Sequence, residues 1–388
     1  MKDDNDIKND NDENKPDLTR LTPWNSKDYP IQVNSIRYNH DYSLLSLGTS
    51  KGYKIFLTST FKSAREDTEE IKSLGDISIA MVYFKSHLVF CLPSRYNKTF
   101  ETKDKELIIF DDQNQTQYAS FKNKTEEILN FFLSRNIILI ITISKVIILE
   151  LYSFKIIDII DNINTMNKFI SFNFYDFISY IKLNDKKSVY IKYYSSKEHK
   201  INSTIKKKIP STFEFMQVQS LSESGSMLSI VSIFGNKIHI YNTRDEKLKY
   251  CLYLGSSIQV IEKVFFSEKK SNYFFILKKE NQFNILKLPI DGIQSCVCNK
   301  YDDKNIGTED KRDPIGGLFG YFKKFTKNKD IKEPHAYGQL NGKIEFIDFD
   351  RTTTKYIIFI NKKGELYKYH FKKTPSGNII PFLNVQWM

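Results

Sequence analysis

Asn34-Ser35-Ile36-Arg37-Tyr38-Asn39-His40-Asp41, followed after two residues by Leu44-Leu45-Ser46-Leu47-Gly48-Thr49-Ser50-Lys51-Gly52-Tyr53-Lys54-Ile55-Phe56, is the stretch on which the fold turns. Beyond it, short runs rich in Ile, Val, Phe and Tyr recur between polar turns, as in Leu107-Ile108-Ile109-Phe110, Ile137 to Ile143, Val189 to Tyr194 and Lys237 to Tyr241. Regular strand-sized runs without helical periodicity favour an all-β sandwich or propeller over an α/β layout. A spacing near 40 residues suits propeller blades of four strands.

The opening stretch resembles the first blade of the PROPPIN (WIPI-like) family, WD40-type β-propellers that bind phosphoinositides and act in autophagy; Gly48-Thr49-Ser50-Lys51-Gly52-Tyr53-Lys54-Ile55-Phe56 carries the resemblance. From Asn34 to about Leu383 the chain follows the family's order of segments more loosely. The resemblance implies a seven-bladed propeller, with blades near 31–62, 71–118, 125–156, 164–203, 210–252, 255–340 and 341–388. It also implies a peripheral scaffold on autophagosomal, endosomal or vacuolar membranes.

Composition fits one large body. The chain has 388 residues, 40% of them hydrophobic and 14% aromatic, enough apolar surface for a substantial core. No window reaches the roughly 18 uninterrupted apolar residues of a membrane span. The nearest, Asn136 to Tyr152, is broken by Thr142, Ser144 and Lys145 and reads as two buried strands around a turn. Met1-Lys2-Asp3-Asp4-Asn5-Asp6 lacks the apolar stretch of a secretory signal, which points to the cytoplasm. Cys91, Cys251, Cys296 and Cys298 are too few and too scattered for a disulfide framework. Cys296-Val297-Cys298 has no second pair to complete a structural zinc site, so reduced thiols are expected, with no metal and no cofactor.

The formal charge of +12 is unevenly spread. Residues 1–18 hold three Lys against six Asp and one Glu, a net of −4 that leaves +16 on the remainder. Residues 1–23 are expected to be a disordered acidic tail, too polar to bury anything, and 24–388 the propeller. The basic body attracts polyanions, which by charge alone could be lipid headgroups or nucleic acid, or the charge reflects a Lys- and Asn-rich compositional bias. No nucleic-acid motif is present, so that partner is not expected.

In the family, an Arg-Arg-Gly signature after blade five supplies forked, charge-assisted hydrogen bonds to phosphate from two sides of one strand. Here the stretch reads Leu252-Tyr253-Leu254-Gly255, so only Gly255 persists. Upstream, Ser229 to Tyr241 resembles the family's preceding strand pair; Ser232 and Gly235 match, while a Thr has become Asn236 and an Arg has become His239. Downstream, the second pocket's contributors fall around Ile276 to Asn284, where Leu277, Lys278, Gln282 and Phe283 match nothing. The phosphoinositide-binding set carried over is thus Ser232, His239 and Gly255, and both pockets are expected to be weak or absent. Losing two charged bonds of roughly 1.5 to 3 kcal/mol each reduces specific binding by orders of magnitude. The alternative is a working phosphatidylinositol 3-phosphate or 3,5-bisphosphate effector in which Lys237, Lys249 or Lys263 substitutes as a point charge.

An insertion of more than 40 residues, about 289–335, stands where the resemblance places a membrane-inserting loop of blade six. In it, Asp313-Pro314 supplies an N-cap and a first-turn proline. Ile315, Leu318, Phe319, Phe322 and Phe325 follow at 0, +3, +4, +7 and +10, on one helical face. Lys323, Lys324, Lys327 and Lys329 come without an acid between Pro314 and Lys329, the pattern of an interfacial anchor for anionic lipids. Gly316, Gly317 and Gly320 oppose helix in water, so folding on contact is expected. The same face would also serve for packing on the propeller or on a partner, as in a soluble interaction hub that never touches membrane, but the clustered cations are not needed for packing and favour the membrane.

Leu92-Pro93-Ser94-Arg95-Tyr96 resembles a second-blade segment of the family that contacts the autophagy lipid-transfer protein; Pro93 and Arg95 are the matching, partner-binding positions, and an ordinary inter-strand loop reads equally well. Catalysis has no support: neither a nucleophile elbow, a phosphate-binding Gly-Lys-Ser/Thr nor a His-Glu-x-x-His motif occurs, and the six histidines form no ligand-like pair.

Overall fold

The structure, a computed structural model, describes residues 31–166, 169–173, 175–197, 200–211, 213, 215–267, 273–288, 336–340, 344–349, 356–361, 366–370 and 383–385. Seven antiparallel sheets follow one another along the chain, each with its strands side by side in sequence order. Blade one has three strands, β1 (Val33–Tyr38), β2 (Leu44–Thr49) and β3 (Gly52–Leu57), and a short helix α1 (Glu69–Ser73) leads to the next. Blade two comprises β4 (Ile77–Val82), β5 (Leu88–Pro93), β6 (Glu106–Asp111) and β7 (Thr116–Lys122). Blade three comprises β8 (Ile128–Leu133), β9 (Ile137–Thr142), β10 (Lys145–Glu150) and β11 (Ile156–Asp161). Blade four comprises β12 (Ile170–Phe172), β13 (Phe177–Lys182), β14 (Asp185–Lys197) and β15 (Lys200–Pro210). Blade five comprises β16 (Met216–Leu221), β17 (Met227–Ser232), β18 (Lys237–Asn242) and β19 (Leu248–Tyr253). Blade six comprises β20 (Ile261–Phe266), β21 (Tyr273–Lys278), β22 (Gln282–Lys287) and β23 (Ala336–Gln339). Blade seven comprises β24 (Ile344–Phe349), β25 (Tyr356–Asn361), β26 (Leu366–His370) and β27 (Leu383–Val385).

First strands of several successive blades touch one another, β1 with β4, β12 with β16, β16 with β20 and β1 with β24, so they ring the centre of a seven-bladed propeller. Seven hydrophobic clusters lie between consecutive blades, and the one joining Ile36, Leu45 and Leu47 of blade one to Ile358 and Ile360 of blade seven closes the circle.

This sandwiching explains why the strands read as continuous apolar runs. Side chains alternate between the two faces of a strand. In β9, Ile138 and Ile140 pack toward blade two while Ile137, Leu139 and Ile141 pack toward blade four. Every residue of β9 is buried, as expected when both faces of a sheet are covered.

Polar side chains stitch the inner ring. Asn34 Nδ2 donates to the Ile77 carbonyl at 2.9 Å, the Ile261 N–H donates to Gln217 Oε1 at 2.8 Å, and Lys263 Nζ donates to the Ile347 carbonyl at 2.9 Å. Among the described residues no helix is long and apolar enough to cross a membrane.

Candidate functional site between blades five and six

The signature position lies at the end of β19. Leu252 and Leu254 both enter the core shared by blades five and six, alongside Ile238, Ile261 and Ile276, and Leu254 is buried. Tyr253 points the other way and is half-buried. Where the resemblance calls for two phosphate-facing arginines, one position is therefore part of the apolar core. Gly255 adopts φ +119°, a left-handed conformation that favours glycine, so its presence has a backbone reason independent of any ligand.

Ser232 and His239 sit close by on β17 and β18. Ser232 Oγ donates to Asn236 Oδ1 at 3.0 Å and accepts from the Lys237 N–H at 3.2 Å, which commits it to the turn between the two strands. His239 is buried, its ring tilted over that of Phe213 with centroids 4.2 Å apart and its Nδ1 3.5 Å from the Tyr241 hydroxyl. A ring packed this way has a filling role where a phosphate ligand would need an open donor.

Two of the three lysines that could substitute are engaged in other ways, and Lys237, half-buried at the start of β18, is the third. Lys263 bonds the Ile347 carbonyl and lies 5.0 Å from the centroid of Phe265. Lys249 lies 5.3 Å over the Tyr250 ring. Of the downstream residues, Leu277 and Phe283 are buried in the core between blades six and seven, Gln282 is exposed, and burial lowers the pKa of the half-buried Lys278.

In blade two, Pro93 ends β5 opposite Ile77 and is buried, whereas Arg95 and Tyr96 stand exposed on the following turn. The apolar and basic residues Ile315, Leu318, Phe319, Phe322, Phe325, Lys323, Lys324 and Lys327 lie outside the described residues, as do residues 1–23.

A polar network that sequence reading missed joins blades one and two. The Tyr53 hydroxyl donates to Asp112 Oδ1 at 2.5 Å, Arg65 pairs with the other Asp112 oxygen, and Arg65 also donates to the Ser86 carbonyl. Its members are 12 to 59 residues apart, so no local signal marks them.

The fold and this arrangement define a seven-bladed, PROPPIN-like β-propeller. No family model matches the sequence. The solved structure of Kluyveromyces lactis Hsv2 is similar with a TM-score of 0.66 at 11% identity, covering 92% of this chain and 97% of that one. The same protein solved with its complete loop 6CD gives 0.65 at 12%, covering 92% and 97%. A complex of KlAtg21 with the coiled-coil of AgAtg16 gives 0.63 at 15%, covering 92% of this chain and all of the Atg21 chain.

Proposed function

We propose that the protein is a non-enzymatic, autophagy-type scaffold of the PROPPIN kind, recruited to membranes by its basic 313–329 segment and by protein partners, with phosphoinositide pockets that have degenerated. The observation that carries this reading is the burial of Leu254 in the core between blades five and six. A guanidinium is missing where two pockets would share their strongest anchors, and His239 is packed against Phe213 instead of opening to a ligand. What remains to hold the propeller at a bilayer is the amphipathic segment with Phe319, Phe322, Lys323 and Lys324, whose cations contribute about 1 kcal/mol each at an anionic surface.

The protein partner expected is an extended helical one, since the similar Atg21 propeller is solved with a coiled-coil. The exposed Arg95 and Tyr96 turn of blade two is where the resemblance puts partner contact, including contact with the autophagy lipid-transfer protein.

Flotation with liposomes tests the reading. Vesicles carry phosphatidylinositol 3-phosphate, phosphatidylinositol 3,5-bisphosphate, or phosphatidylserine alone at matched charge. Binding should follow charge without preference for the 3-phosphorylated lipids, and Phe319→Asp with Phe322→Asp should release the protein from all three. A clear preference for either phosphoinositide would sink the degenerate-pocket reading, and absence of binding to any vesicle would sink the membrane anchor.

A further inference from the structure

Each blade runs from the centre outward through antiparallel neighbours in sequence order. Among the described residues, the turns between second and third strands and the linkers that follow four-stranded blades therefore emerge on one face of the ring. The exposed large apolar side chains concentrate on that face from blade three to blade six: Ile143, Met166, Leu183, Phe215, Phe234 and Ile258. Met166 is 66% exposed, Phe234 55% and Ile258 74%. Turn and linker are tied together at each step, through Thr165 Oγ1 to the Ile143 carbonyl, the Leu183 N–H to the Asn162 carbonyl, the Ile233 N–H to the Phe215 carbonyl and the Gln259 N–H to the Phe234 carbonyl, at 2.8 to 3.1 Å. The result is an arc of exposed apolar side chains carried on hydrogen-bonded turns, and clustered exposed apolar surface marks interaction sites on otherwise polar proteins.

Charge specifies the partner. Lys186, Lys187, Lys237 and Lys279 flank the arc on the same turns, and among the described residues none has a carboxylate within ion-pair distance. Of the acids on these turns, Asp185 is engaged by Lys208 and Tyr190 and Glu126 by Thr142 and Ser144, so the exposed carboxylates are Asp161, Glu262 and Glu280, set against these four lysines together with Lys145 and Lys182 at the ends of the same turns. Depth distinguishes a bilayer from a protein. Interfacial anchors bury their apolar face roughly 5 to 10 Å into the membrane, which needs an element that projects. Short turns and linkers hydrogen-bonded down onto one another form a shallow strip, matched to the apolar stripe of a helix lying along it.

We infer that the blade three to blade six arc is a docking surface for an amphipathic helix of a partner protein whose apolar stripe is flanked by Glu or Asp. The arc shares its face with the Arg95 turn but begins one blade beyond it, and it stands independently of the lipid reading.

The test uses the full chain and a synthetic 18-residue peptide with Leu at helical i, i+3, i+4 and i+7 spacing and Glu on either side. A second peptide has Lys in place of Glu, and fluorescence anisotropy reads binding. The acidic peptide should bind, the basic one should not, and Phe234→Ser with Ile258→Ser should weaken binding at least tenfold. Tyr118→Ser, an equally exposed side chain on the outer strand β7, should leave binding unchanged. Circular dichroism melting of each variant separates lost docking from lost folding. Equal binding of the two peptides, or no binding of the acidic one, overturns the inference. So does loss of phosphatidylserine-vesicle binding in the Phe234 and Ile258 variant, which would make the arc a bilayer surface. Self-association abolished by the same variant would give the arc to a second copy and equally overturn it.

Discussion

Gly235 and Gln259 meet so closely that a Cβ on Gly235 would lie 1.8 Å from the Gln259 carbonyl oxygen. The contact joins the turn of blade five to the linker entering blade six. Gln259 in turn donates its N–H to the Phe234 carbonyl and its Nε2 to the Leu254 carbonyl, each at 2.8 Å. Because Gly235 also has φ +66°, Gly235→Ala combines backbone strain with a clash against a main-chain atom. We expect it to destabilise the protein by at least about 2 kcal/mol, read as a lower urea midpoint with unchanged slope. An unchanged midpoint would mean the linker moves aside at no cost.

Removal of Asp112 should be more severe than removal of its tyrosine partner. The carboxylate is buried and neutralises Arg65, which is itself largely covered. Asp112→Ala leaves that guanidinium without its counter-charge, a change that costs about 3 to 5 kcal/mol in buried pairs. Tyr53→Phe deletes one hydrogen bond to a charged acceptor, about 1.5 to 3 kcal/mol. The double variant should be less destabilised than the sum, since both singles disrupt one network. Strict additivity in denaturant unfolding would count against a shared network.

Acid should weaken the fold in part through a buried histidine. His40 stacks on Phe84 with ring centroids 4.5 Å apart, its Nδ1 accepts the Phe84 N–H, and burial pulls its pKa down to about 4. In the unfolded chain a histidine binds its proton near pH 6.5, so between about pH 6.5 and 4 the unfolded state holds more protons and stability falls as pH falls. The loss across that window is of the order of 3 kcal/mol. Asp185 contributes in a different range: its hydrogen bond from Lys208 first, then that from Tyr190, holds its carboxyl down at about 2, so its share disappears only as pH drops from about 4 toward 2. His40→Asn retains an acceptor for the Phe84 N–H and should flatten the dependence between about pH 4 and 6.5. A slope unchanged by the substitution would assign the effect to another group.

The architecture was legible wherever a strand is covered on both faces. Ile137 to Thr142 and Lys145 to Glu150 read as two buried strands because a continuous apolar run is what a propeller blade requires. Blade four was less so: the run Val189 to Tyr194 is only the centre of a 13-residue strand, and its partner continues to Pro210, past the expected end near 203. The polar residues of that hairpin carry no periodic signal. At the lipid-type site, the missing arginines were visible in Leu252 to Gly255. The stacking of His239 on Phe213 and the burial of Leu254 depend on neighbouring strands and had no local mark.

Restoring the arginines should have opposite consequences at adjacent positions. Leu254 is packed among Ile238, Ile261 and Ile276, so Leu254→Arg places a guanidinium in an apolar core without a carboxylate to meet it. The cost of an unpaired buried charge is several kcal/mol, and we expect the variant to unfold at a far lower urea concentration or to express insolubly. Tyr253 is half-buried on the other side of the strand end, and Tyr253→Arg should fold with a stability change of less than about 1 kcal/mol. A single guanidinium there stands across the ladder from Lys237, while Ser232 and Asn236 already satisfy each other, so vesicle binding should rise with total anionic lipid and show no preference for phosphatidylinositol 3-phosphate over phosphatidylserine at equal charge. Acquisition of that preference by Tyr253→Arg alone would mean that the remaining pocket is intact and that one side chain separates this propeller from a phosphoinositide effector.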